Sequence, residues 1–289
     1  AVVRWPIAGC RSRGLSLGAS KHGTGVSEER PALGAIGALG GAVGAVVGIG
    51  GGNIMVPLMT LFSKSLSQHQ ITATSLVAVV STGASSTVSY LAMGAVSGPA
   101  AALIAVAATA TAPLGARLAA RLPAAKLRVC LAVFVLGCAP LVPLKGFLLR
   151  HRDASGTGSG EADLSPQAAA VVLAAGGLAG FASGLLGIGG GVVLTPVLAL
   201  ATDLPQLSVL GTSLAAMIIP SMTGAVVHYR AGTIVGTAAW PLAAGAAMGA
   251  AVGGKCAAQL PEEELRWVFS GVMGCVGVYM LRGALRGLK

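Results

Sequence analysis

The sequence predicts an all-α integral membrane protein. It should hold about eight transmembrane helices in two homologous four-helix repeats, with a helix broken at a Gly-rich motif in each. Three observations lead there: an apolar composition, a regular alternation of long apolar runs with short polar breaks, and a repeat relating the two halves. Of 289 residues, 54% are hydrophobic, 4% aromatic and only 10% charged. A soluble domain carries about 25% charged residues, so this chain has too few polar side chains to coat a water-soluble globule. Its mean hydropathy of +0.82 says the same. Composition therefore argues against a soluble enzyme, a nucleic-acid module or a disulfide scaffold.

The elements follow in order. Residues 1–32 form a basic tail with Arg4, Arg11, Arg13, Lys21 and Arg30 and acids only at Glu28 and Glu29. It reads either as the end of an organelle transit peptide or as an extramembrane tail. Residues 33–149 hold the first repeat, with apolar runs at 33–62, 71–93, 96–118 and 127–149. Each is long enough for a span of about 20 residues, and the first is too long for one straight span. Residues 150–166, with the Ser155–Gly160 stretch, read as a flexible polar linker. Residues 167–289 repeat the pattern, with runs at 168–201, 207–229, 234–258 and 265–285.

The repeat is readable residue by residue. Gly48–Pro57 (GIGGGNIMVP) matches Gly187–Pro196 (GIGGGVVLTP) at an offset of 139. Thr74-Ser75-Leu76 matches Thr212-Ser213-Leu214 and Gly94 matches Gly232, now at 138. Four crossings per half would make the repeats parallel. A re-entrant hairpin at the glycine motif would change the parity and allow inverted repeats. Repeats of either kind characterise transporters, whose substrates sit near the midplane between halves.

Charge does not orient the eight-span reading. The formal net charge is +10, but no basic face with interleaved aromatics suggests nucleic acid. With eight crossings, Arg117, Arg121, Lys126 and Arg128 lie opposite Lys145, Arg150, Arg152, Arg230 and the basic C-terminus. Apart from the tail the two sides balance, so the positive-inside rule decides nothing.

The chemistry centres on the glycines. Three in a row make continuous helix costly, about 1 kcal/mol each. The proline five residues on fits the first turn of a new helix. The motif thus reads as helix, unwound segment at Gly48–Gly52 and Gly187–Gly191, helix. Unwound backbone at membrane depth must be buried in protein or line a cavity. The restarted helices point free N–H groups and a positive dipole end inward, so two facing ends can hold an anion. The candidate substrate-binding residues are Gly50, Gly51, Gly52 and Asn53 in the first half, and Gly189, Gly190 and Gly191 in the second. Thr74, Ser75, Thr212 and Ser213 join them as hydroxyls placed to open the second and sixth spans, where they would cap helices or bind an oxyanion. Asn53 is the sole asparagine, and its counterpart is Val192. Gln68, Gln70 and Gln206 read as interfacial. Gly37-Gly41 and Gly40-Gly44 read as close helix packing.

All nine acids fall outside the predicted spans. Cation-coupled carriers commonly bury carboxylates in the membrane, so a small anion is the better cargo. His228 reads as a packed or headgroup-facing histidine, or as a carrier of a coupling proton. The five cysteines form no CxxC pair, and no nucleophile–base set, Walker motif or metal-spaced cluster stands out. No catalysis, metal, cofactor or nucleic acid is expected.

The paired GIGGG-x4-P segments, each followed by a TSL motif, in a four-plus-four layout, resemble the TauE/SafE, or sulfite exporter, family of membrane transporters over residues 33–286. The resemblance implies movement of sulfite, a sulfonate or a related organic anion. The expected function is a secondary transporter of a small anion in a lipid bilayer. The alternatives are an anion channel and a non-transporting membrane scaffold that keeps the fold. The choice of membrane and the oligomeric state stay open.

Overall fold

The computed structural model describes residues 30–63, 66–119, 124–150, 166–186, 191–202 and 204–286. These form ten helices and no strand: α1 Arg30–Val47, α2 Gly52–Phe62, α3 Gln68–Ala92, α4 Gly98–Ala119, α5 Ala124–Arg150, α6 Pro166–Leu186, α7 Gly191–Ala201, α8 Gln206–Arg230, α9 Gly236–Gln259 and α10 Glu262–Arg286. By length and composition, α1, α3, α4 and α8 can cross a membrane. Large apolar side chains cover the outside. Val88, Val106 and Met248 are 68%, 69% and 66% exposed, an arrangement costly in water and natural in lipid.

Small residues set the tightest contacts, as expected where helices associate without a hydrophobic driving force. A Cβ at Gly37 or Gly41 would collide with the carbonyl of Leu242 or Ala246, and one at Gly245, Gly249 or Gly253 with the carbonyl of Gly34, Ala38 or Ala42. These contacts seat α1 against α9. The equivalent Gly176 and Gly180 seat α6 against Ile104 and Ala108 of α4. Each half thus lends its first helix to the other half's third run.

The register of these contacts gives the helix directions. Along the α1–α9 and α4–α6 seams the residue numbers rise together, so each pair is parallel. Ser85 of α3 donates to the Ala247 carbonyl at 2.7 Å, and Ser89 lies by Gly254, so α3 also runs parallel to α9. Against α8 it runs antiparallel: Leu76 meets Gly224, Gly83 meets Leu214, and Tyr90 meets Gly211. Ser270 of α10 donates to Ala139 of α5 at 2.6 Å, while Gly277 lies by Leu136, again antiparallel. Short turns closed by Gly94 and Gly232 reverse the chain after α3 and α8. Each carries the same bond, Ala95 N–H to Tyr90 O at 2.9 Å and Thr233 N–H to His228 O at 3.1 Å.

Because α1 and α3 run the same way, α2 must return between them. Its eleven residues span about 16 Å, half of a hydrocarbon core of about 30 Å. Met55 of α2 packs on Gly40 of α1, and Met59, Leu33 and Ile71 share one apolar cluster. The first apolar run is therefore a helical hairpin rather than one broken crossing. Likewise α6 runs with α4 and α8, with the short α7 between. Eleven residues are too few for a stable isolated helix, so α2 depends on this packing.

Candidate functional site

The hairpin tip begins where α1 stops. Gly48 has φ 74°, and its N–H bonds Ala45 O while Ile49 N–H bonds Gly44 O. This pair of bonds closes a helix on a left-handed residue, which glycine adopts without a Cβ penalty. Tyr90 of α3, fully buried, adds its hydroxyl to the Ala45 carbonyl at 2.9 Å.

Gly51 restarts the chain as the N-cap of α2, with φ 75° and no side chain to cap the first amides. Its carbonyl accepts from Ile54 and Met55 at 3.0 Å. Among the described residues, the N–H groups of Gly50, Gly51, Gly52 and Asn53 have no acceptor. Gly50, Gly51 and Gly52 are buried. The floor beneath them is glycine too: a Cβ on Gly44 would collide with Gly51 N, and one on Gly51 with Gly40 O. The Gly40-Gly44 pair therefore serves the tip, whereas Gly37-Gly41 serves helix packing.

Side chains of the second half hold this tip. Gly48 O accepts from Thr195 Oγ1 of α7 at 2.7 Å and from Ser213 Oγ of α8 at 3.3 Å. Met217 of α8 reaches both breaks: its Cε would lie 3.2 Å from a Cβ on Gly50 and its Sδ 2.5 Å from one on Gly191. Val79 of α3, which Met217 matches in the repeat, closes over Gly50 and Gly52. A Cβ on Gly191 would lie 2.9 Å from Ile49 Cα, so the start of α7 abuts the tip of the first hairpin.

Several expectations need correction. Gly52 and Gly191 are the first helical residues of α2 and α7 rather than unwound. Pro57 and Pro196 sit six residues into these helices instead of in the first turn, and each removes one ladder donor there. Gly189 and Gly190 lie outside the described residues. Thr74-Ser75 and Thr212-Ser213 do not open helices. Ser67 caps α3 in a reciprocal pair with Gln70, and α8 starts at Gln206. Thr212 instead accepts the Ser97 N–H at 3.1 Å, ahead of α4. Ser75 bonds its own helix at Thr72 O, 2.9 Å away. Thr74 is fully buried with no hydrogen-bond partner among the described residues. Gln206 is buried at the start of α8. His228 bonds Thr233 at 3.1 Å, within the turn after α8.

Two buried side-chain donors on α2 and α3 are unspent. The Asn53 side-chain N–H group is buried without an acceptor, and so is the Ser86 hydroxyl on α3. Ser86 lies on the α3 face that carries Val79, which covers Gly50, and Tyr90, which holds Ala45. At 100° per residue these three fall within about 40° of one another. Ser86, Thr195 and Tyr90 escaped the sequence reading because their repeat counterparts Gly224, Val56 and His228 share none of their chemistry. That mismatch was the available signal.

Similarity to known proteins agrees with this architecture. The family model described as sulfite exporter TauE/SafE matches residues 33–280. The chain is 25% identical over 242 residues to the "Probable membrane transporter protein YunE" of Bacillus subtilis (strain 168), covering 78% of this chain and 86% of that one. It is 32% identical over 119 residues to a "Probable membrane transporter protein" of Xylella fastidiosa (strain Temecula1), covering 40% and 45%. No solved structure matches the chain. An apolar exterior, helices held by glycine seams and a family match over most of the sequence lead to one conclusion: the chain is a multi-pass integral membrane protein that belongs to the sulfite exporter TauE/SafE family of transporters.

Proposed function

We propose that this protein is a secondary transporter of a small anion, with sulfite, a sulfonate or a related organic anion as substrate, and that it catalyses no covalent reaction. Its two halves are homologous repeats, and the anion binds at the first glycine break. The observation that carries the reading is the row of four acceptor-free amides at Gly50–Asn53 in a buried tip, together with the unspent side-chain donor of Asn53 and that of Ser86 on the α3 face carrying Val79.

Magnitudes favour this site over a bare helix end. Bringing an anion out of water costs several kcal/mol. A helix N-terminus alone offers about half a charge and typically 0.3–1 kcal/mol. Hydrogen bonds to a charged group contribute about 1.5–3 kcal/mol each, so several converging donors are needed. Four amides and two side chains supply that number, and a sulfite-like ion presents three oxygens to them. Thr212 and Ser213, engaged on Ser97 and Gly48, act in this reading as the frame around the site. Met217 and Val79 seal it in this conformation and must move for the anion to enter.

Uptake of labelled sulfite into proteoliposomes tests the reading. Saturable uptake is expected, with Ser86→Ala and Asn53→Ala each raising the half-saturation concentration about tenfold. Saturable uptake with neither variant altered would move the site elsewhere. Unsaturable flux would make the protein a channel, and absence of flux for sulfite, sulfonates and carboxylates alike would favour a scaffold.

A further inference from the structure

The directions of the helices sort the charges of the chain in a way that counting spans conceals. With the first run folded back as a hairpin, the start of α1, the α2–α3 connection, the α4–α5 connection, the α8–α9 turn and the end of α10 all lie on one side. The α3–α4 turn, the linker after α5, the α7–α8 connection and the α9–α10 turn lie on the other. An independent bond agrees: Glu262 at the start of α10 accepts the Gln206 N–H at the start of α8, at 3.1 Å.

On that division, fourteen of the nineteen basic residues and only two of the nine acids, Glu28 and Glu29, belong to the first side. The second side holds the other five basic residues and seven acids, among them Asp153, Asp203 and Glu262. Setting residues 1–29 aside leaves ten basic residues and no acid against five and seven. A bias of that size in short loops orients a membrane protein, with the Lys/Arg-rich side retained on the side of insertion. The same face meets the anionic headgroups of that leaflet.

We propose that the protein is an inverted-topology repeat whose two termini and α4–α5 connection face the compartment from which it is inserted, while residues 151–165 and the Glu262–Glu264 start of α10 face the opposite compartment. Six helices cross fully: α3, α4, α5, α8, α9 and α10. The α1–α2 hairpin dips in from the basic side and the α6–α7 hairpin from the acidic side. The start of α7 at Gly191 abuts Ile49 at the tip of the first hairpin. This inference concerns orientation and stands whatever the cargo.

Eight crossings and six crossings with two hairpins differ in one measurable respect. Eight put residue 1, the 151–165 linker and residue 289 on the same side; the hairpin fold puts the linker opposite both termini. The test is accessibility of introduced cysteines to a membrane-impermeant maleimide, in the full chain expressed in intact bacterial cells with its five cysteines replaced by Ala. Ser159→Cys should label from outside. Ser65→Cys and a cysteine added after Lys289 should label only after permeabilisation. Labelling of all three from one side would overturn the proposal, and so would the reverse assignment. A second readout uses no substitution: fusions after Lys289 should give a fluorescent green fluorescent protein and an inactive alkaline phosphatase. An active phosphatase there would refute the orientation even if the cysteine variants failed to insert.

Discussion

The two glycine breaks carry the same five residues, and their surroundings differ position by position. At the first, Asn53, Ser86 and four backbone amides are buried donors without acceptors. At the second, the counterparts of Asn53 and Ser86 are Val192 and Gly224, which bring no side-chain donor. Conversely, the latch on the first tip comes from the second half. Thr195 reaches Gly48 O at 2.7 Å, whereas its counterpart Val56 has no hydroxyl. The comparison teaches that a repeated backbone device does not make a symmetric site. Among the described residues, the donors left unspent at the first break belong to the first half, while Thr195 and Ser213 of the second half hold its Gly48 carbonyl.

The largest expected effect tests how rigid the two tips are. Gly51→Ala combines a left-handed φ of 75° with a collision against Gly40 O. The conformation alone costs an alanine about 1–2 kcal/mol, and the carbonyl belongs to packed helix. Uptake should be abolished. Gly191→Ala meets the flexible Met217 side chain and the Ile49 Cα at 2.9 Å, but its φ is not left-handed, so it should retain measurable uptake in the same proteoliposome assay. Equal loss in both would erase the difference drawn here.

An intermediate effect should come from the latch. Thr195→Val leaves the buried Gly48 carbonyl short of its strongest donor and should destabilise by about 1–3 kcal/mol. A lowered midpoint of thermal unfolding in detergent would register it. The mirror change, Val56→Thr, removes no existing hydrogen bond and should fall within about 0.5 kcal/mol of the parent. If both variants unfold alike, the tips are held equally and the latch is not one-sided.

The smallest contrast lies in the paired TSL motifs. Thr212→Ala strips the partner from Ser97 N–H and should cost about 1 kcal/mol. Thr74→Ala removes a buried hydroxyl that bonds nothing among the described residues and should be neutral or stabilising. Chemical denaturation of the two variants side by side would distinguish them, and a costlier Thr74→Ala would reveal a partner for Thr74.

Much of this was legible from residue order because it depends on local chemistry. Apolar runs become helices, Gly48 and Gly51 break them, and small residues at Gly37 and Gly41 mark a close seam. A left-handed turn or a missing Cβ acts within a few residues, so the pattern alone determines it. Helix starts were less legible: Ser67 with Gln70 outcompeted Thr74-Ser75 as the N-terminus of α3, because the helix extends as far as its capping allows. Direction was not legible at all. A break of four glycine-rich residues can continue a crossing or reverse it at similar local cost, and only packing chooses. Met55 on Gly40 and α1 beside α9 make the reversal. With it the tertiary structure decided which donors are left unspent beside the break and which are consumed in holding it.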